Sequence, residues 1–231
     1  MQYRVDKHEA LRYLGYSGQR FEGDFLERFD AIVAACEQRL HPSFVFEIFD
    51  IDAVCGDDAG DSGIVVKGTN LIFLGTDIYE HLHQARQCAL IAATLGMESE
   101  RELRRYSARS PFDALVYGAA CSALVEQVTD EAEAQIVALA AKKNFFTGTR
   151  YSPGYGNFSL DIQPKFLTCL KAQQRMGLVA TERNFLVPTK SVTAVIGLFE
   201  QPPVVQKSSC TTCTMKDECS IRASGRTCYE S

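Results

Sequence analysis

Apolar residues recur at helical spacing through the first 40 positions. In GDFLERFDAIVAACEQRL, Phe25, Phe29, Ile32, Ala35 and Cys36 fall on one stripe, and with HEALRYLGY before it the pattern predicts an opening run of helices. Pro42 ends that pattern. SFVFEIFDI is rich in β-formers and predicts a strand, and IVVKGTNLIFLG predicts two short strands joined at Lys67 to Asn70. Between them runs an acidic stretch carrying Asp52, Asp57, Asp58 and Asp61. It lacks the glycine placement and closing glutamate of an EF-hand loop, so it is read as a solvated hairpin loop rather than a calcium site.

From Thr76 to Met97 the spacing predicts a helix, with Thr76 or Asp77 as its cap and Ile78, Leu82, Ala85, Cys88, Ala89, Ala92 and Leu95 on one face. His81 and His83 are two apart, so they face different ways and do not form the i, i+4 pair of a helical zinc site. SPFDALVYGAACSALVEQV predicts a second helix opening at Ser110-Pro111, and TDEAEAQIVALAAKK a third with Thr129 as cap. NFFTGTRYSPGYGNFSLD reads as turn-rich, QPKFLTCLKAQQRMG as one more helix closed by Gly177, and SVTAVIGLF as a strand. Helices bracketing mostly antiparallel strands imply α+β. The expected organisation is one domain over 1–203, a twisted sheet flanked by helices, and a short Cys-rich tail over 204–231.

Composition narrows this a little. The 231 residues are 46% hydrophobic and 23% charged with net charge −5, which suits a globular protein and argues against a general nucleic-acid binder. No apolar run approaches the ~20 residues of a membrane-spanning helix. Charges at Arg4, Asp6, Lys7, Glu9 and Arg12 interrupt the start where a signal peptide would be apolar, so the expected location is cytoplasmic. Of nine cysteines, Cys36, Cys55, Cys88, Cys121 and Cys169 are dispersed, mostly in apolar stretches, and read as small buried hydrophobes.

The familiar catalytic signatures are missing: no G-x-x-x-x-G-K-[ST] phosphate loop, no G-x-S-x-G elbow, no H-E-x-x-H and no dinucleotide fingerprint in a βαβ context. From spacing alone, one candidate ligand site remains, the turn at Arg150. Pro153 and Gly154 set a tight turn whose amides can meet a ligand, Arg150 can pair bidentately with a carboxylate, and Tyr155 offers a ring and a hydroxyl. The plain alternative is a structural connector with an arginine at its surface.

The hexapeptide RYSPGY, Arg150 to Tyr155, resembles the R-x-x-P-G-Y signature of the reactivation domain of cobalamin-dependent methionine synthase. LGTDIYEHLHQARQCALIAATLG is similar to that family's first long helix after a short strand, and DALVYGAACSALVEQVTDEAE to its next helix. MGLVATERNFLVPTKSVTAVIGL resembles the segment leading into a sheet strand, so the likeness runs in order from about Gly63 to Leu198. It implies an α+β domain that binds S-adenosylmethionine through Arg150, Ser152, Pro153, Gly154 and Tyr155. An acidic residue that the family carries shortly before the arginine is Asn144 here. No D-x-H-x-x-G cobalamin ligand motif occurs, and the chain has no room for the family's other modules.

The expected function is therefore a standalone reactivation protein. It would support reductive methylation of Co(II) cobalamin on a corrinoid methionine synthase lacking its own activation domain, with an electron donor besides. Two rivals come from the tail, where Cys210, Cys213, Cys219 and Cys228 have the spacing of a four-thiolate site for Zn²⁺ or a [4Fe–4S] cluster. One is an iron–sulfur electron-transfer protein, the other a non-catalytic zinc-containing interaction module.

Overall fold

The computed structural model describes residues 3–16, 18, 23–54 and 62–203. Two helices open the chain, α1 (Lys7–Tyr13) and α2 (Phe25–Arg39). Asp6 caps α1 by accepting from the backbone amides of His8 and Glu9. The buried stripe of α2 is Phe29, Ile32, Val33 and Cys36.

The predicted strand becomes β1 (Ser43–Val54), and the hairpin becomes β2 (Gly63–Val66) and β3 (Ile72–Leu74). These join β4 (Gln87–Thr94), β5 (Phe146–Tyr151) and β8 (Ser191–Phe199) in one six-stranded sheet ordered β3-β2-β1-β4-β8-β5. Every pairing in it is antiparallel. A separate two-stranded hairpin is made by β6 (Val179–Ala180) and β7 (Leu186–Val187). The expected α+β architecture with a mostly antiparallel sheet is what the chain adopts.

One face of the sheet packs on α5 (Pro111–Lys142), whose Ala132, Ile136 and Ala140 meet Ala89, Ile91, Ile196 and Leu198. α1, α2 and α4 (Met97–Arg109) pack against α5 in turn. The other face buries Leu90, Ala92 and Val195 beneath α3 (Thr76–Leu82), α6 (Gln163–Cys169), α7 (Ala172–Met176) and Phe158. None of the helices among the described residues is long and apolar enough to cross a membrane.

Five expected elements come out differently. The helix expected over Thr76 to Met97, and the family helix it resembles, is instead α3 followed by β4. Successive residues of β4 alternate between the two cores, Cys88, Leu90 and Ala92 to one side and Ala89, Ile91 and Ala93 to the other. A strand buried on both faces has no polar positions, so its apolar run also satisfies a helical template.

The second and third expected helices are one, α5, about 48 Å long at 1.5 Å per residue. Thr129 is no cap. It is fully buried mid-helix, and its hydroxyl donates to the Val125 carbonyl at 2.8 Å. The stretch read as turn-rich contains β5, an edge strand with a register shift between Thr147 and Arg150 that hid its alternation.

The last expected helix is broken into α6 and α7 at Lys171, which has φ 51°. Leu170 and Ala172 are both fully buried. Residues two apart on a continuous helix face nearly opposite ways, so a left-handed residue between them lets both reach the core.

Candidate ligand site at the edge of the sheet

The R-x-x-P-G-Y turn leaves the sheet at its edge. Arg150 lies opposite Ile196 and Tyr151 opposite Val195 on β8. Paired residues share a face, so Arg150 points to the α5 side and Tyr151 to the α3 side. A ligand meeting both must therefore wrap the edge strand.

On the α5 side, Arg150 meets a stripe of three acids at helical spacing i, i+4, i+7. Its Nη2 lies 2.7 Å from Asp130 Oδ1 and 3.7 Å from Glu126 Oε2, and its Nε lies 3.0 Å from Glu133 Oε2. One guanidinium cannot neutralise three carboxylates. Burial raises the pKa of Glu126 and Glu133 above the ordinary value, against the pull of Arg150, and the neighbouring Asp130 raises both further. Nη1 of Arg150 is buried and has no hydrogen-bond partner among the described residues. A donor of that kind is costly to leave unmatched, and a ligand carboxylate would match it.

Helix α1 supplies the opposite wall. Between it and α5 lies a cleft of about 530 Å³ lined by Asp6, Glu9, Tyr13, Glu126, Asp130 and Arg150 among others. Glu9 is occupied by Arg12, at 2.7 Å. The Tyr13 hydroxyl has its pKa raised, by burial first and by Glu126 next, and Tyr155 is near enough to add to it.

On the α3 side the turn is locked to the protein. Asp77 and Asn157 exchange backbone-to-side-chain hydrogen bonds, both 3.1 Å, and Asn157 Nδ2 donates to Thr76 Oγ1 at 2.6 Å. Gly156, at φ 50°, is required here: a Cβ would lie 2.0 Å from Asp77 Oδ2. The His81 ring, whose Nε2 is 2.9 Å from the Thr149 carbonyl, lies tilted against the Tyr151 ring with centroids 5.0 Å apart. Its pKa is lowered by burial, against that hydrogen bond.

The turn itself differs from expectation in one respect. The Gly154 amide donates to the Phe158 carbonyl at 2.7 Å and the Tyr155 amide to the Ser152 carbonyl at 3.2 Å. The amides expected to meet a ligand are spent on the turn's own geometry, and Pro153 is buried beneath it. The Tyr155 side chain is 66% exposed and is the ring the turn presents outward.

No family model matches this sequence, and no curated protein sequence matches it either. Among solved structures, the crystal structure of the MetH reactivation domain bound to AdoHcy superposes on this chain with a TM-score of 0.64. The match covers 96% of this chain and 82% of that one at 14% identity. The chain has the fold of the MetH reactivation domain. At that identity the likeness speaks for the fold alone.

Within this reactivation-domain fold, Asn144 is not near Arg150. It follows the C-terminal end of α5 at φ 59°, and that end already lies about 18 Å along the helix axis from Asp130. The acids beside Arg150 are Glu126, Asp130 and Glu133, which sequence reasoning missed although their spacing was visible. Asp6, which caps α1, also reaches the cleft. Asp57, Asp58, Asp61, Cys55 and the four tail cysteines lie outside the described residues.

Proposed function

We propose that this protein binds S-adenosylmethionine along the β5 edge and supports reductive methylation of a Co(II) corrinoid. The corrinoid would sit on a partner methionine synthase that lacks its own activation domain. What carries the reading is the R-x-x-P-G-Y turn at the sheet edge of a fold shared with a domain crystallised with AdoHcy.

The residues suit a zwitterionic sulfonium ligand. The free Nη1 of Arg150 would take the ligand carboxylate. Glu126, Asp130 and Glu133 carry more negative charge than Arg150 offsets and would favour the ammonium and sulfonium. Tyr155 offers a flat exposed ring for a purine. When bound, the ligand supplies an electrophilic methyl to reduced cobalt, so that a C–S bond breaks as a C–Co bond forms. The chain's part is to hold that methyl in line, which needs no protein nucleophile or base. Cys210, Cys213, Cys219 and Cys228 are read as the ligands of one metal centre, zinc or iron–sulfur, in the same protein.

Titration calorimetry with S-adenosylmethionine tests the reading. Arg150→Ala should weaken binding by roughly ten- to a hundredfold, the loss of a charge-assisted pair worth about 1.5–3 kcal/mol. Absence of binding by the wild type at millimolar ligand, or equal affinity in a folded variant, would overturn it. A second test mixes the protein with a corrinoid methyltransferase, a reductant and the ligand. Conversion of the Co(II) spectrum to methylcobalamin is expected, and its absence favours an interaction module.

A further inference from the structure

Of the dispersed cysteines, Cys36, Cys88 and Cys121 are fully buried free thiols and Cys169 is half-buried. Two of them are more than small apolar residues. Cys36 belongs to the buried stripe of α2 and Cys121 to that of α5, and both sit in the core that joins these helices. Their thiols meet there, with Cys36 hydrogen-bonded to Cys121. The two are far apart in sequence, so only the packing of α2 on α5 creates the pair.

The surroundings treat the two sulfurs differently. The hydrogen bond from Cys36 holds the Cys121 thiol below its ordinary pKa, against burial, and Tyr117 and Lys190 add to the effect. The same hydrogen bond, and then burial, pushes the Cys36 thiol up. Lys190 is fixed close by, its Nζ donating to Ser122 Oγ at 2.8 Å. Tyr117, one turn before Cys121 on α5, is only 2% exposed, and the Tyr106 ring stacks on it at 4.9 Å. Its hydroxyl lies against the Cys121 sulfur yet makes no well-formed hydrogen bond. A buried donor without an acceptor is costly, and a thiolate or sulfenate at Cys121 would supply one. Cys121 is thus prepared to attack, and Cys36 is kept as the thiol beside it.

A route to the pair exists. A cleft of about 570 Å³ is lined by Tyr3, Glu37, His41 and Leu124 among others. Glu37 directly follows Cys36, and Leu124 lies one turn beyond Cys121 on α5. Solvent therefore comes within about one helical turn of both sulfurs without touching either. Access of this kind favours a small neutral oxidant over a bulky disulfide.

We propose that Cys36 and Cys121 are a peroxide-sensitive dithiol that closes reversibly to a disulfide between α2 and α5, with Cys121 as the attacking sulfur. The Cys121 thiolate displaces hydroxide from hydrogen peroxide and becomes a sulfenic acid. The Cys36 sulfur then displaces hydroxide from that sulfenic acid. Two S–H bonds and the O–O bond break and one S–S bond forms. The two thiol protons leave with the hydroxides as water, and the two electrons lost by sulfur reduce the peroxide. A dithiol reductant reverses the step by exchange. None of the ligand-site residues takes part.

The reduced full chain is treated with hydrogen peroxide, quenched in acid, unfolded, alkylated, digested and mapped by mass spectrometry. A cross-linked peptide pair carrying Cys36 and Cys121 is expected, with Cys88 still alkylated, and dithiothreitol should return both cysteines to thiols. Both cysteines alkylated even after excess peroxide overturns the proposal, as do sulfinic acids without the link or a link from either to another cysteine. Loss of Cys88 at the same rate would mean that peroxide acts only on the opened chain, and overturns it too. The wild-type map needs no variant, and two variants test the roles. In Cys36→Ala, Cys121 has no partner and should gain one or two oxygens, whereas in Cys121→Ala, Cys36 should stay reduced at the same dose. Equal reactivity in the two variants, or the reverse order, overturns the assignment of Cys121 as the attacking sulfur.

Discussion

Asp77 and Asn157 hold each other across 80 residues of sequence. Each donates its backbone amide to the other's side chain, at 3.1 Å both ways. Asp77 thereby sits in the first turn of α3 with its carboxylate satisfied, and the loop after β5 is pinned to that helix rather than swinging from the sheet edge. The contact requires glycine on both sides: a Cβ on Gly75 would lie 2.7 Å from Asn157 Oδ1, and one on Gly156 2.0 Å from Asp77 Oδ2.

Releasing that latch should loosen the turn more than it destabilises the domain. Asn157→Ala removes exposed hydrogen bonds worth about 1 kcal/mol each at most. Gly156→Ala both clashes with Asp77 and strains a left-handed residue. Hydrogen exchange at the Gly154 and Phe158 amides should accelerate in both variants, with little change at β4. Unchanged exchange would show that the turn holds itself.

Ligand affinity should depend on pH above the ordinary carboxylate range. Burial raises the pKa of Glu126 and Glu133. A cationic ligand favours their ionised forms, so affinity rises with pH through their raised values and falls as they protonate. Binding in that window releases protons, which calorimetry in buffers of different ionisation enthalpy measures. The pH dependence should shrink in Glu126→Gln and Glu133→Gln.

His81 should make the fold acid-sensitive. Its pKa lies below 6.5 in the folded protein because burial disfavours the imidazolium. As pH falls below that value the unfolded chain takes up a proton that the folded one refuses, so stability drops until the lowered pKa is passed. Urea midpoints from about pH 7.5 to about pH 5.5 should fall more steeply for the wild type than for His81→Gln.

Lys171 carries a conformational cost that glycine would not. At φ 51° between two buried neighbours, Lys171→Gly should raise stability by about 0.5–1 kcal/mol, read as a higher urea midpoint at unchanged slope. A lower midpoint would mean that unfolded-state entropy outweighs the strain.

The elements legible in the sequence carry a local signal of their own. α2 shows an apolar stripe, because water on one side and core on the other impose its period. The β2–β3 hairpin is bounded by a turn at Lys67 to Asn70, and β8, though covered on both faces, is a β-branched run ended by prolines. The RYSPGY turn was legible as well, through the backbone demands of Pro153 and Gly154 and the chemistry of Arg150.

What the tertiary structure alone decided lies where burial is two-sided or a partner is remote. β4 is covered on both faces, so its residues carry no period to distinguish strand from helix. Thr129 looks like a cap because a hydroxyl before acids usually is one, yet buried in α5 it is satisfied by Val125. Splitting α5 there also hides the acid stripe. Glu126, Asp130 and Glu133 share a face only if the helix runs unbroken through residue 129, and packing of α5 across the whole sheet is what keeps it unbroken. The charge partners of Arg150 were thus written in the chain at i, i+4 and i+7, but a local pattern acquires a face only once the long-range contacts have chosen the helix.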